Sequence, residues 1–145
     1  MGSAAAIGAV LAVLAAGCAE DPDRLPPLCG NGPDQVLTAL ERAPEPVTLA
    51  DGTRLSECVA NARSDADLQL VGFTLTPAAD ELAGTETAAA AERLGYLVGA
   101  MRRGAAAGNG IQVELVRRVE TRVRYADPAL LEAAERGALA GEASG

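Results

Sequence analysis

From residue 33 onward the apolar side chains recur at intervals of three and four. That is the spacing of one helix face and not of a half-buried strand. Val36, Leu37 and Leu40 form the first stripe, behind Pro33 and Asp34, two residues that suit a helix N-terminus. Pro44 and Pro46 end this helix, placed at about 33–43. The cleanest pattern covers 65–83, where Leu68, Val71, Leu75, Ala78, Ala79 and Leu82 fall within about 120° at 100° per residue. Ser64 is placed to cap this segment, and Asp65 and Asp67 favour its N-terminus through the helix dipole. Pro77 interrupts the hydrogen-bond ladder, which predicts a kink or two shorter helices. Leu70 and Phe73 lie off the stripe, which implies a helix covered on more than one side. A strand over Leu68–Leu75 is the alternative reading of this stretch.

The spacing predicts another helix over 86–105, with Ala90, Leu94, Leu97, Val98 and Met101 on one face. Gly95 and Gly99 lie beside that face in G-x-x-x-G spacing, which lets a second helix approach closely but is a weak motif outside a membrane. A Gly/Ala-rich turn over 104–110 leads to a helix from 111 to about 124, carrying Ile111, Leu115, Val116, Val119 and Val123 on one side. These two helices read as an antiparallel hairpin. Asp127-Pro128 opens a last helix, about 128–140, and the small-residue tail 141–145 is expected to be disordered. Asp51-Gly52 is a tight-turn signal that leaves room for a short β-hairpin near 47–55. Ser56 or Thr53 is placed to cap a short helix carrying Cys58 and Val59. The fold class is therefore mainly α: a small bundle of four to five helices over 34–140.

Composition limits what such a bundle can bury. One Phe, two Tyr and no Trp leave a core of Leu, Val and Ala, with less area removed from water per residue. All twelve basic residues are Arg, and together with abundant Ala, Gly and Pro this points to a GC-rich genome. The net charge of −8 is uneven: residues 19–87 carry thirteen acids against four Arg, and residues 88–124 carry three against seven. A net acidic chain disfavours general binding to nucleic acid.

Residues 4–16 contain no polar side chain, and they end in Leu14-Ala15-Ala16-Gly17-Cys18. Thirteen residues are short for a membrane span, which needs about 20. The stretch resembles the lipobox signal of bacterial lipoproteins, in which the cysteine is lipidated and becomes the new N-terminus. Gly17 and Ala16 fit the small positions of that pattern, while Ala15 stands where Leu is usual, and Met1-Gly2-Ser3 lacks a basic side chain. The resemblance implies a signal peptide at 1–17, lipid attachment at Cys18 and a tether and lead-in loop over 18–33. Cleavage by general signal peptidase after Gly17 or Ala19 is the alternative, and an ordinary apolar helix with a buried cysteine is the blander one.

Cys29 and Cys58 then remain as an even pair, expected to form a disulfide in an oxidising compartment. Free buried thiols or a redox pair are the alternatives, although neither residue lies in a C-x-x-C motif.

The chain offers little for catalysis. It has no His to act as general base or metal ligand and no Lys to act as amine nucleophile. None of Ser56, Ser64 and Ser144 stands in G-x-S-x-G. Asp65-Ala66-Asp67 begins like a calcium loop without its Gly and distal Glu, and Gly108-Asn109-Gly110 lacks the third glycine of a dinucleotide loop. No cofactor or metal is expected, and the chain reads as a non-enzyme.

Arg102, Arg103, Arg117 and Arg118 are the candidate anion-binding residues within the Arg-rich stretch 93–124. On a helical wheel Arg117 and Arg124 fall on one flank and Arg118 and Arg122 on the other, with Glu114–Arg118 and Glu120–Arg124 placed to pair. The competing readings are a self-paired helix surface and pairing with the acidic N-terminal half. The mature part resembles a small actinobacterial lipoprotein. The expected role is a structural or protein-interaction module on the extracytoplasmic face of the cell membrane, anchored through Cys18, with an envelope protein as partner. The alternatives are an anionic-ligand module using 93–124 and a secreted, unanchored protein of the same fold.

Overall fold

The computed structural model describes residues 24–125 and 127–145. The apolar run, Cys18 and the start of the tether lie outside the described residues. A 3-10 turn at Pro27–Gly30 leads into six helices: α1 Pro33–Leu40, α2 Leu55–Ala60, α3 Asp65–Gly84, α4 Ala88–Ala107, α5 Val113–Glu120 and α6 Pro128–Ser144. The mainly α bundle expected from periodicity is the observed architecture, and no strand occurs among the described residues.

Local chemistry sets most helix boundaries. Ser64 Oγ accepts from the Asp67 backbone N–H at 3.1 Å, and Asp67 accepts from the Ser64 N–H at 3.2 Å, a reciprocal cap that starts α3. Thr87 caps α4 by accepting from the Ala90 N–H, and Asp127 caps α6 through the Ala129 N–H. Neither Ser56 nor Thr53 caps α2. Its N-terminus is held by Glu57, which accepts from the Arg54 backbone N–H at 2.9 Å and pairs with the Arg54 guanidinium at 2.7 Å. Burial pushes the Glu57 carboxyl up, and the hydrogen bonds from Arg54 more than offset this, holding it below its ordinary range.

Pro77 does not divide its helix: α3 runs unbroken from Asp65 to Gly84. Pro77 sits on the exposed side of the helix, one turn after the exposed Phe73 and away from the core. The hairpin near 47–55 reduces to a single antiparallel bridge, Thr48 to Arg54, closed by Leu49 N–H to Thr53 carbonyl at 2.8 Å. Gly52 takes φ +88°, the left-handed conformation that this turn requires. Val47, Leu49 and Leu55 are all buried, so the segment serves as a core strap and its ladder does not extend.

α4 is the central element and touches α1, α2, α3, α5 and α6. Leu94, Tyr96, Leu97 and Met101 on it are fully buried, in one core cluster with Leu40, Leu55 and Leu75. The Tyr96 hydroxyl accepts from the Val47 N–H at 2.9 Å and lies 3.1 Å from Ser144 Oγ. α5 turns back across α4, as a hairpin would, but the extensive partner of α4 is α6. A Cβ on Gly137, Gly141 or Gly145 would collide with Glu92, Tyr96 or Ala100 respectively, and one on Gly95 or Gly99 with Ala134 or Ala138. Both helices advance together through these contacts, so α4 and α6 run parallel with their backbones in near contact. The G-x-x-x-G spacing at Gly95 and Gly99 is thus matched by a second one at Gly137 and Gly141.

The tail expected to be disordered is part of this seam. Helix α6 continues to Ser144, and Gly141 and Gly145 are buried. Ser56 on α2 donates its hydroxyl to the Gly145 carbonyl at 2.5 Å. Small side chains that look featureless in sequence are what allow this close approach.

Candidate functional site

From Leu25 onward the lead-in loop lies against the folded domain, with Leu25 and Leu28 packed on the core. Cys29, on the 3-10 turn, is bonded to Cys58 on α2, with both residues buried and their Cα atoms 5.3 Å apart. This confirms the pairing expected of the two cysteines. The bridge spans a separation of 29 residues and contributes about 3 to 4 kcal/mol in the chain-entropy model. It fixes the point where the chain enters the domain, next to α3.

The four candidate anion-binding arginines do not converge. Arg102 donates to Glu120 at 2.6 Å and to Glu142 at 3.1 Å, joining α4 to the ends of α5 and α6. Its hydrogen bond to the Glu120 carboxylate is the largest of the effects that raise the Arg102 guanidinium above its ordinary range. Arg103 donates to the backbone carbonyls of Glu142 and Ala143, satisfying the C-terminal end of α6. Arg117 pairs with Glu114 at 2.8 Å, and Arg122 reaches Asp80 on α3 at 2.7 Å. The surface is mostly self-paired, but not by the expected pairs: Glu114 takes Arg117 in place of Arg118, and Glu120 takes Arg102 in place of Arg124. Arg122–Asp80 is the one pair of these with the acidic half. The Arg118 side chain has no hydrogen-bond or ion-pair partner among the described residues.

Arg118 stands instead at the edge of an apolar groove between α3 and α5. The groove holds about 380 Å³ and is lined by Leu68, Gly72, Phe73, Pro77, Ile111 and Leu115, among others. One wall is fixed by Gln112, fully buried at the start of α5, which donates to the Ala62 carbonyl and accepts from the Gly110 N–H, each at 3.1 Å. The lead-in turn leans on the same helix, where a Cβ on Gly30 would stand 2.6 Å from the Leu70 side chain. Phe73 is 74% exposed and Val113, just past the groove, 58%. Sequence reasoning expected a second cover over Leu70 and Phe73. The lead-in turn touches Leu70, and the described residues leave Phe73 open. Their displacement from the main stripe was the available signal for this groove.

Tyr125 is the one buried side-chain polar group without a hydrogen-bond partner among the described residues. Burial pushes its hydroxyl above the ordinary tyrosine range. No group of three metal-ligating side chains comes together among the described residues, and no described helix is long and apolar enough to cross a membrane.

Comparison with known protein families, with curated proteins and with solved structures finds no match to this chain.

Proposed function

We propose that this chain is a lipid-anchored protein of the extracytoplasmic membrane face, where its helical domain serves as a structural or protein-interaction module. One observation carries the reading. Cys29 and Cys58 consume each other, which leaves Cys18 as the single odd cysteine, at the end of an unbroken apolar run and behind two small residues. A buried cystine fits an oxidising compartment. Two acyl chains on Cys18 would hold the domain stably where one would not. A single anion site across 93–124 has less support, because Arg102, Arg103 and Arg117 are already engaged within the chain.

Metabolic labelling with radioactive palmitate in the native host tests the anchor. Label on the wild-type protein that disappears in Cys18→Ala supports it. An unlabelled wild-type protein in the culture fluid, beginning at residue 18 or 20, would establish the secreted alternative. Crosslinking in the intact envelope tests the module: a discrete partner band supports it, and only monomer at all crosslinker concentrations counts against it.

A further inference from the structure

Apart from Gly84, the last residue of α3, with open space around it, the glycines of α3, α4 and α6 divide into two kinds. A Cβ on Gly95, Gly99, Gly104, Gly137 or Gly141 would meet a backbone oxygen at 2.3 Å or less, so each is explained by a neighbouring helix. Gly72 is different. It lies in the interior of α3, and the nearest atom to its added Cβ is Leu115 Cδ1 at 3.6 Å, an ordinary contact. Glycine inside a helix destabilises it relative to alanine, and no packing among the described residues requires glycine here. What Gly72 does is deepen the floor of the α3–α5 groove.

The groove has two chemistries. Its floor and walls are apolar, with Phe73 and Ile111 left partly in water. Its edge carries Arg118, without a partner among the described residues, while the neighbouring Glu114 is already held by Arg117. The local balance is one positive charge beside an apolar trough. Its volume of about 380 Å³ lies at the small end of ligand sites, which suits one alkyl chain and not two.

We propose that this groove binds a single-chain carboxylate amphiphile of the fatty-acid class, its alkyl chain lying over Gly72 and its carboxylate on the Arg118 guanidinium. An apolar helix from a partner or from a second copy would also cross Gly72, but its backbone and apolar side chains would leave Arg118 without an anion. The proposal stands independently of acylation at Cys18.

Phe73 is the only phenylalanine in the chain, so full-length protein labelled with 4-fluorophenylalanine gives one fluorine resonance, located in the groove. Titration with sodium dodecanoate below its micelle concentration is expected to shift that resonance saturably. Gly72→Leu fills the trough and should abolish the shift while keeping the thermal midpoint. Arg118→Glu should weaken dodecanoate by about tenfold or more and leave uncharged dodecanol unaffected. The proposal is overturned by the absence of a saturable shift, by undiminished binding in Gly72→Leu, or by equal binding of dodecanol and dodecanoate to the wild type. A resonance that moves with protein concentration alone would also overturn it, since a second copy would then occupy the groove.

Discussion

A Cβ placed on Gly95 would stand 1.9 Å from the carbonyl oxygen of Ala134, and one on Gly137 would stand the same distance from the carbonyl of Glu92. The two contacts are reciprocal, and they place the α4 and α6 backbones closer than any side chain allows. Around them the seam is filled by Ala91, Ala133 and Ala134, all buried. With so few aromatics, the chain makes up buried contact by bringing main chains together.

The first prediction pairs two glycines. Gly95→Ala should destabilise the protein by about 2 kcal/mol or more, because a fixed backbone has to move. Gly72→Ala should stabilise it by about 0.5 to 1 kcal/mol, since helix propensity improves and nothing is displaced. Urea unfolding of the two variants reads both, and changes of the same sign would contradict the packing described.

Tyr96→Phe removes a buried hydroxyl that accepts from the Val47 N–H and contacts Ser144. The expected loss is about 1 to 3 kcal/mol, because the Val47 N–H is left unsatisfied inside the protein. Hydrogen exchange at Val47 should accelerate in the variant. Unchanged protection would mean that the bond contributes little.

Reduction of the Cys29–Cys58 bridge should lower stability by about 3 to 4 kcal/mol, and the double variant Cys29→Ala/Cys58→Ala should behave like the reduced protein. Denaturation under reducing and non-reducing conditions provides the comparison. An identical midpoint in both would show that the bridge leaves stability unaffected.

The Tyr125 hydroxyl has a folded pKa raised above its unfolded value by burial. The folded state therefore holds that proton more tightly. The corresponding stability is fully present below about pH 10 and is lost as pH rises through the folded pKa. Tyr125→Phe should flatten this alkaline decline and be at least as stable as the wild type at pH 7, since the buried hydroxyl has no partner. Thermal unfolding between neutral pH and pH 11 would test the sign, and a steeper decline in the variant would reverse it.

Several features were legible from residue order. The Ser64 cap, the stripe through Leu68, Val71 and Leu75 and the Pro-Asp start of α1 are decided within one or two turns of chain, and each appears as read. The cystine followed from counting cysteines. Other readings failed where the deciding partner is remote. Glu120 reaches Arg102 across 18 residues, and wheel geometry on one helix does not contain that distance. The tail after Gly141 looked unstructured because its residues are small, yet small size is what α4 requires of it. The groove was half legible, since Leu70 and Phe73 signalled a second face without saying whether the chain would cover it.

By itself the sequence determined a helical domain and its main boundaries, and it made a bridge between Cys29 and Cys58 the expectation. Helix periodicity, capping and covalent chemistry all act over short or countable spans. Only the tertiary structure decided that α4 and α6 run parallel in near backbone contact, that the arginines disperse among separate acids and carbonyls, and that Arg118 is left beside an open groove over Gly72. Those outcomes depend on which surfaces meet across tens of residues, and packing complementarity of that kind belongs to the folded arrangement and to no single helix.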